Sequence, residues 1–254
     1  MIIDFGNIIL NYQAIYSVKG GSIAGIEVLI RYRSETKSIS TDELIKQAIK
    51  ANKINELTVF VIKKSLQEIH NTILEYNLFL SLNFHPINLE EPSIIATLID
   101  EATKYHIPFN YIMIEITEHK IVFLELVKSL CNEILNKGFR LAMDDYGCGY
   151  SNEERAYSLP FSEIKIDKTI TRSFINNHNP NLEIFLEKIS KNGVNIVFEG
   201  VETEGDYICI KKSYPHCYVQ GWYLSHPIDK EEFYYSVNQI NHNRNHKTFA
   251  LDSS

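Results

Sequence analysis

The chain is short of several things that would restrict its fold or its surroundings. Cysteine is scarce, with four among 254 residues, namely Cys131, Cys148, Cys209 and Cys217. They form no C-x-x-C pair and show no zinc-ligand spacing, which argues against a disulfide scaffold and favours free thiols in a reducing compartment. No apolar run approaches the roughly eighteen residues of a membrane span. The opening MIIDFGNIIL lacks the basic segment and small-residue cleavage site of a signal peptide. The expectation is a cytoplasmic protein without membrane insertion. Basic residues are outnumbered, 25 Lys and Arg against 32 Asp and Glu, for a formal net charge of −7. That balance speaks against non-specific binding of a nucleic-acid duplex, which needs many cations along the phosphates. A small phosphorylated ligand stays compatible, because divalent ions can sit between protein carboxylates and phosphate oxygens.

What is present is enough apolar material for a core, at 44% hydrophobic. No low-complexity tract or Pro/Gly-rich linker divides the chain, so a single domain over residues 1–240 with a polar tail over 241–254 is expected. Short β-rich runs recur at about 8–18, 22–33, 79–84, 111–117, 140–146, 163–168, 195–201 and 217–225. After the second, they alternate with stretches of helical spacing such as PSIIATLIDEATKYH and NLEIFLEKISKNG. Alternation of this kind calls for parallel strands joined by crossover helices. Only Lys19, Gly20 and Gly21 separate the first two runs, too few for a crossover, so these should pair antiparallel. The predicted fold is α/β, a modified TIM-type (β/α)8 barrel with an antiparallel first strand.

In such a barrel the active site gathers at the C-terminal strand ends, and polar residues stand there at nearly every strand. They are Glu27, Asn83, Glu115 (with Glu118 just beyond), the pair Asp144 and Asp145, Lys165, Glu199 and Gln220. Alternation puts Arg31 on the face of Glu27, with Ile26, Val28 and Ile30 on the other. Five carboxylates around one pocket would repel each other. An all-oxygen donor set suits Mg2+, Mn2+ or Ca2+ better than zinc. Two divalent ions a few ångströms apart are a common arrangement for phosphoester cleavage, and adjacent aspartates can serve both. Taken singly, each residue also has an ordinary structural role: Arg31 as an ion-pair partner, Gln220 as a buried hydrogen-bonding group, Lys165 with Asp167 as an ion pair. His85 and His119, near strand ends, read as local polar contacts rather than ligands.

At these same positions the sequence resembles the EAL domain family, bacterial phosphodiesterases that act on cyclic di-GMP. The likeness covers roughly residues 10 to 235 and keeps the family's order: EVLIR for the E-A-L-x-R signature, then LNFHP, EITE, DDYGCGYS, KID, EGVE and QGWYLSHP. The resemblance implies that Glu27, Asn83, Glu115 and Asp144 bind one metal, and that Asp144 bridges to a second ion held with Asp145 and Glu199. It implies two Mg2+ or Mn2+ ions per subunit, with Lys165 positioning the attacking water and Gln220 and Glu202 in support. Glu118 would steady the loop after the aspartates. Arg31 would contact a substrate phosphate, and Ser225 and Pro227 would border a guanine. The implied reaction is in-line hydrolysis of cyclic di-GMP to linear pGpG by metal-activated water. The alternative is a non-catalytic module that binds cyclic di-GMP or a regulatory protein. A homodimer formed near the loop after the fifth strand is implied too. No separate sensory domain is expected, which leaves regulation to expression, assembly, a protein partner or redox chemistry. The chain departs from the family at Val28 for alanine, Cys148 for threonine, LNFHP for the N-L-S form, Ala14 for proline and Tyr32 for tryptophan.

Overall fold

The computed structural model describes residues 3–33, 38–177 and 179–239. Its strands and helices run β1 (Ile8–Ser17), β2 (Ser22–Arg33), β3 (Ser38–Ile39), α1 (Thr41–Lys50), α2 (Ile54–Tyr76), β4 (Phe79–Phe84), α3 (Pro86–Leu89), α4 (Pro92–Lys104), β5 (Ile112–Ile116), α5 (Leu124–Asn136), β6 (Arg140–Tyr146), α6 (Glu153–Ser158), β7 (Glu163–Ile166), α7 (Lys168–Asn177), α8 (Pro180–Lys191), β8 (Asn195–Phe198), α9 (Glu204–Ser213) and β9 (Tyr218–Val219). A last helix, α10, covers 230–239. The expected polar tail lies outside the described residues.

The sheet order β1-β9-β8-β7-β6-β5-β4-β2, closed by β1 against β2, makes an eight-stranded barrel, with the two-residue β3 appended to the end of β2. β1 runs antiparallel to both its neighbours, while every pairing from β2 through β4 to β9 is parallel. The short first connection therefore does what its length demands, and the fold is the modified TIM barrel expected from sequence.

Local chemistry sets the helix ends. Ser40 accepts a hydrogen bond from Glu43 N (3.2 Å) ahead of α1, and Asn179 caps α8, whose first residue is Pro180. The long helical run after residue 41 is cut in two at Asn52, whose φ of 55° no helix continues through.

Strand alternation separates two cores. The outward-facing residues, such as Ile114, Met143, Ile164 and Phe198, pack with the helices in one large cluster. Inside the barrel a small apolar plug of Ile15, Phe79, Met113, Ala142 and Val197 fills the end at which the parallel strands begin. One inward step further along the strands stand Glu115, Asp144 and Glu199. The plug thus forms the floor on which the polar layer rests.

Candidate active site

The polar layer is organised around one lysine. Lys165, on β7, is almost wholly buried, and its Nζ lies 2.8 Å from Glu199 Oε1, 2.9 Å from Glu115 Oε2, 3.1 Å from Asp144 Oδ1 and 3.2 Å from Glu27 Oε2. These partners come from β2, β5, β6 and the end of β8. The barrel thereby gathers four strands onto one ammonium.

Glu27 is the most fully supported of the four. Asn83 Nδ2 donates to its Oε1 (2.9 Å) and Gln220 Nε2 to its Oε2 (2.7 Å). Burial alone would raise its pKa, but Lys165 and these two donors outweigh that and hold the carboxyl below its usual value. For Glu115, Asp144 and Glu199 the balance goes the other way: burial dominates, Lys165 offsets part of it, and neighbouring carboxylates add to the rise. Lys165 itself is kept well above its usual pKa, because the four carboxylates more than offset its burial. It is a cation, not a base. Glu115 lies beneath the cavity floor, fully buried, with a short hydrogen bond from Ser81 Oγ.

Asp145 poses a separate problem, since strict alternation would turn it away from the face of Asp144. Its φ of 49° breaks the strand, and the β6–β7 register shifts between Met143 and Tyr146. That irregularity brings Asp144, Asp145 and Glu199 together, with one carboxylate oxygen from each lying within 4.8 Å of the others. Burial and then Asp144 push the Asp145 carboxyl up to about 7. A group of oxygen donors this close, whose members resist ionisation, has the chemistry of a divalent-cation site.

A cavity of about 690 Å³ opens above this layer and is lined by Glu27, Asn83, Glu118, Asp144, Asp145, Lys165, Glu199, Glu202 and Gln220, among others. Three residues singled out from sequence lie elsewhere. Arg31 shares the face of Glu27 but stands at the rim, where its Nη1 donates to Ile30 O (2.8 Å) and lies 3.5 Å from Thr41 Oγ1. Ser225 and Pro227 are outside the lining, and their carbonyls accept from Gln13 (2.9 Å) and Asn11 (3.1 Å). Glu202 is half-exposed and pairs closely with Arg172. Glu118 meets the loop after β6 through its backbone, its carbonyl accepting from Tyr150 N (2.8 Å). A Cβ on Gly149 would come within 2.8 Å of that same carbonyl, so glycine is required there. The Lys165–Asp167 pair weighed from sequence does not form. Asp167 instead accepts from Thr169 N (2.7 Å) at the start of α7.

Sequence reasoning passed over Gln13, Arg155 and the cavity role of Asp167. Gln13 pairs directly with Glu27 across β1 and β2, lines the cavity and accepts from Gln220 Nε2 (3.2 Å). Its signal is a polar residue in the β-rich run NYQAIY, two residues before Ile15 and on the same strand face. Arg155, buried, donates to Thr117 O (2.9 Å) and closely to His119 O, fixing the loop that carries Glu118. Cys148 lies in the loop after β6. Burial, then the Asp167 and Asp145 charges, push its thiol up to about 11, which leaves little nucleophilic thiolate at neutral pH.

The fold and the site define an α/β barrel whose C-terminal strand ends converge on a buried lysine and on clustered carboxylates that could hold a metal ion. The chain belongs to the EAL domain family, whose pattern matches residues 3–227. Among its relatives, the cyclic di-GMP phosphodiesterase RocR of Pseudomonas aeruginosa is 26% identical over 91% of this chain and 60% of RocR. The biofilm architecture maintenance protein MbaA of Vibrio cholerae is 26% identical over 96% of this chain and 31% of MbaA. The chain spans less than two thirds of the curated relatives it matches first. Among solved structures, a standalone versatile EAL protein from Vibrio cholerae O395, in its c-di-GMP bound form, superposes with a TM-score of 0.77. It is 22% identical over 90% of this chain and 95% of that one, and so supports the fold.

Proposed function

We propose that this chain is a metal-dependent phosphodiesterase that hydrolyses cyclic di-GMP to linear pGpG. The observation that carries the reading is the inward convergence of Asp144, Asp145 and Glu199 above a floor held by Lys165. Five carboxylates, Glu27, Glu115, Asp144, Asp145 and Glu199, share one ammonium, leaving a formal charge of −4 that two divalent ions would balance. Glu27, Asn83, Glu115 and Asp144 would hold one Mg2+ or Mn2+, and Asp144, Asp145 and Glu199 the second. Because Asn83 donates its NH2 to Glu27, its amide oxygen is the atom for a cation. When bound, such ions acidify water and stabilise charge on the attacking and leaving oxygens.

The protein's own groups supply the orientation. Lys165, protonated throughout, has its three N–H donors taken by carboxylates here, and would have to turn one of them from a carboxylate to the attacking water or a phosphoryl oxygen to hold it in line. Gln220 and Gln13 fix Glu27, and Arg155 fixes the segment bearing Glu118. Water adds to phosphorus, the bond to the 3′ oxygen breaks, and a 5′-phosphate and a 3′-hydroxyl result. Arg31, at the rim, would reach a substrate phosphate after leaving Ile30 O. Ser225 and Pro227 would border a guanine by way of the loop they stiffen. Assembly as a homodimer beside the loop after β6 is supported by the exposed rings of Tyr150 and Tyr157. A protein regulator and a cytoplasmic location belong to the same proposal. Among the described residues no helix is long and apolar enough to cross a membrane.

The test is to incubate purified protein with cyclic di-GMP and Mg2+ or Mn2+ and to identify products by mass spectrometry, with EDTA and Glu27→Ala controls. The expected product is pGpG, lost in both controls. Binding without metal-dependent turnover would replace the enzyme reading with that of a binding module.

A further inference from the structure

The loops that carry Glu118 and Asp145 are zipped together beyond the ends of their strands. Past Ile116, the last residue of β5, three successive carbonyls accept hydrogen bonds from the segment that follows β6. Thr117 O accepts from Arg155 Nη1 (2.9 Å), Glu118 O from Tyr150 N (2.8 Å), and His119 O from Arg155 Nη2 in a close contact. Thr117, Glu118 and His119 all line the cavity. One guanidinium thus grips the backbone on either side of Glu118, while Tyr150 N grips it at Glu118 itself.

An arginine is a costly choice for that task. Arg155 is 6% exposed, and among the described residues its guanidinium bonds to neutral carbonyls rather than to a carboxylate. Burying a cation without a paired anion is unfavourable, but a planar fork can span two carbonyls at a fixed separation, which a single ammonium cannot. The main chain of Arg155 is fixed as well, its N donating to Asn152 Oδ1 (3.1 Å) at the start of α6. Between Asp145 and that anchor the loop closes on itself. Cys148 N donates to Asp145 O (2.9 Å), Ser151 N to Cys148 O (2.8 Å) and Gly147 N to Ser151 O (2.8 Å). Asp145, at the near end, holds a φ of 49°, which a residue other than glycine keeps only when its surroundings over-determine it. The contacts running from Asp145 through the loop to Arg155, and from there to the carbonyls of residues 117 and 119, supply that constraint.

We propose that Arg155 is a positioning residue for the second cation: by locking the segment after β6 onto the segment after β5, it keeps the Asp145 carboxylate beside Asp144 and Glu199. The proposal rests on the two-ion reading of the cavity. Of the three carboxylates, Asp144 lies within β6, and Glu199 is tied to β7 by its N donating to Ile166 O (3.1 Å). The barrel wall therefore holds both. Asp145 is the one whose place depends on the loop. Glu27, Asn83 and Glu115, which with Asp144 would hold the other ion, lie within β2, β4 and β5. Loosening the loop should accordingly act on one ion of the pair and spare the other.

The experiment titrates the whole purified chain with Mn2+ in the absence of substrate, by calorimetry and by electron paramagnetic resonance of free Mn2+. Initial rates with cyclic di-GMP are then measured over the same Mn2+ range. Wild type should take up two ions. Arg155→Met should weaken one of them about tenfold or more, as removal of a group that orients a metal ligand does, and leave the other within about twofold. The weakened ion should be the one that Asp145→Gly loses. Turnover should fall at low Mn2+ and recover as Mn2+ is raised. Arg155→Lys, which keeps the charge but not the fork, should lie between Arg155→Met and wild type. Gly149→Ala, whose Cβ would sit 2.8 Å from Glu118 O, opens the same zip from the other side and should weaken the same ion. Both Mn2+ constants unchanged in the Arg155 variants would overturn the proposal, whether the thermal midpoint drops, as a purely structural role predicts, or KM at saturating Mn2+ rises. If Arg155→Met does not fold, Arg155→Lys decides on the same terms. A wild type that binds two ions without hydrolysing cyclic di-GMP would end the phosphodiesterase reading, while the Mn2+ constants still decide the role of Arg155. A wild type that binds a single ion would end the two-ion site and this role with it.

Discussion

Glu163, the first residue of β7, lies on the inner face of the barrel two residues before Lys165 and is fully buried. Its Oε2 is 3.5 Å from Arg140 Nη2, a long contact, and Oε1 has no hydrogen-bond partner among the described residues. Burial pushes this carboxyl from 4.5 up to about 7, with Arg140 and Lys165 offsetting only part of the cost. The folded protein therefore keeps a proton that the unfolded chain has already released. Folding becomes less favourable as pH rises from the unfolded value through the folded one, and levels off above it. At about 1.4 kcal/mol per pH unit the full effect is roughly 3 kcal/mol, of which about 2.5 kcal/mol develops between about pH 5 and about pH 8. Glu163→Gln keeps the volume and cannot ionise. Arg140 keeps its seat 4.7 Å from the Phe79 ring centroid, so the substitution does not strand it. The expected result is that the stability of the variant relative to wild type rises by about 2.5 kcal/mol across that range. Urea denaturation at several pH values, with EDTA throughout to remove metal linkage, measures the difference. A difference that does not change with pH would refute the assignment.

Lys165→Met removes the shared counter-ion of four buried carboxylates and should cost about 3–5 kcal/mol in EDTA, with Mg2+ restoring part of it. A thermal midpoint in EDTA equal to wild type would contradict this. Asp145→Gly should abolish metal-dependent hydrolysis while keeping or raising the midpoint in EDTA, since glycine adopts the φ of 49° without strain. A large loss of stability would show that the Asp145 side chain supports the fold. Cys148→Thr should leave turnover within about twofold, because a thiol held near 11 contributes little thiolate at neutral pH. Rapid alkylation of Cys148 in the wild type would refute that account. Gly221→Ala should destabilise severely, since a Cβ there would sit 2.1 Å from Val201 O, and its thermal midpoint checks this.

All eight barrel strands were legible as apolar runs, because alternating burial imposes a period that turn residues then punctuate. Their ends were less so. The last two runs were expected to reach 201 and 225, yet β8 stops at Phe198 and β9 at Val219. IVFEGVE and CYVQGW look like continued strand, but Gly200, with φ of 69°, and Gly221, pressed on Val201, turn the chain just past Glu199 and Gln220. The stretches KTITRSFINN and EGDYICIKKS, which form α7 and α9, were not singled out among the helical ones. In the candidate site, polar residues inside apolar strands marked the right strand ends. Direction was less visible. Alternation gives Arg31 the face of Glu27 but not its height, and the rim position follows from where the barrel ends. Asp145 reaches the cavity only because its backbone leaves the strand conformation, which its residue type permits but does not announce.

The arrangement at Lys165 shows why the layer is charged at all. Packed apolar side chains already fill the barrel's lower end, so the acidic layer is not needed to complete a core. One ammonium offsets only part of the cost of burial and, after it, of repulsion from neighbouring carboxylates, as the raised pKa values of Glu115, Asp144 and Glu199 indicate. Burial and mutual repulsion therefore work against full ionisation of those groups, and a bound cation would favour their charged forms. Lys165 keeps the strands together while the charge is incomplete, and the residual repulsion is the electrostatic preference for a divalent ion. The same feature that makes the layer costly to fold makes it selective for what it binds.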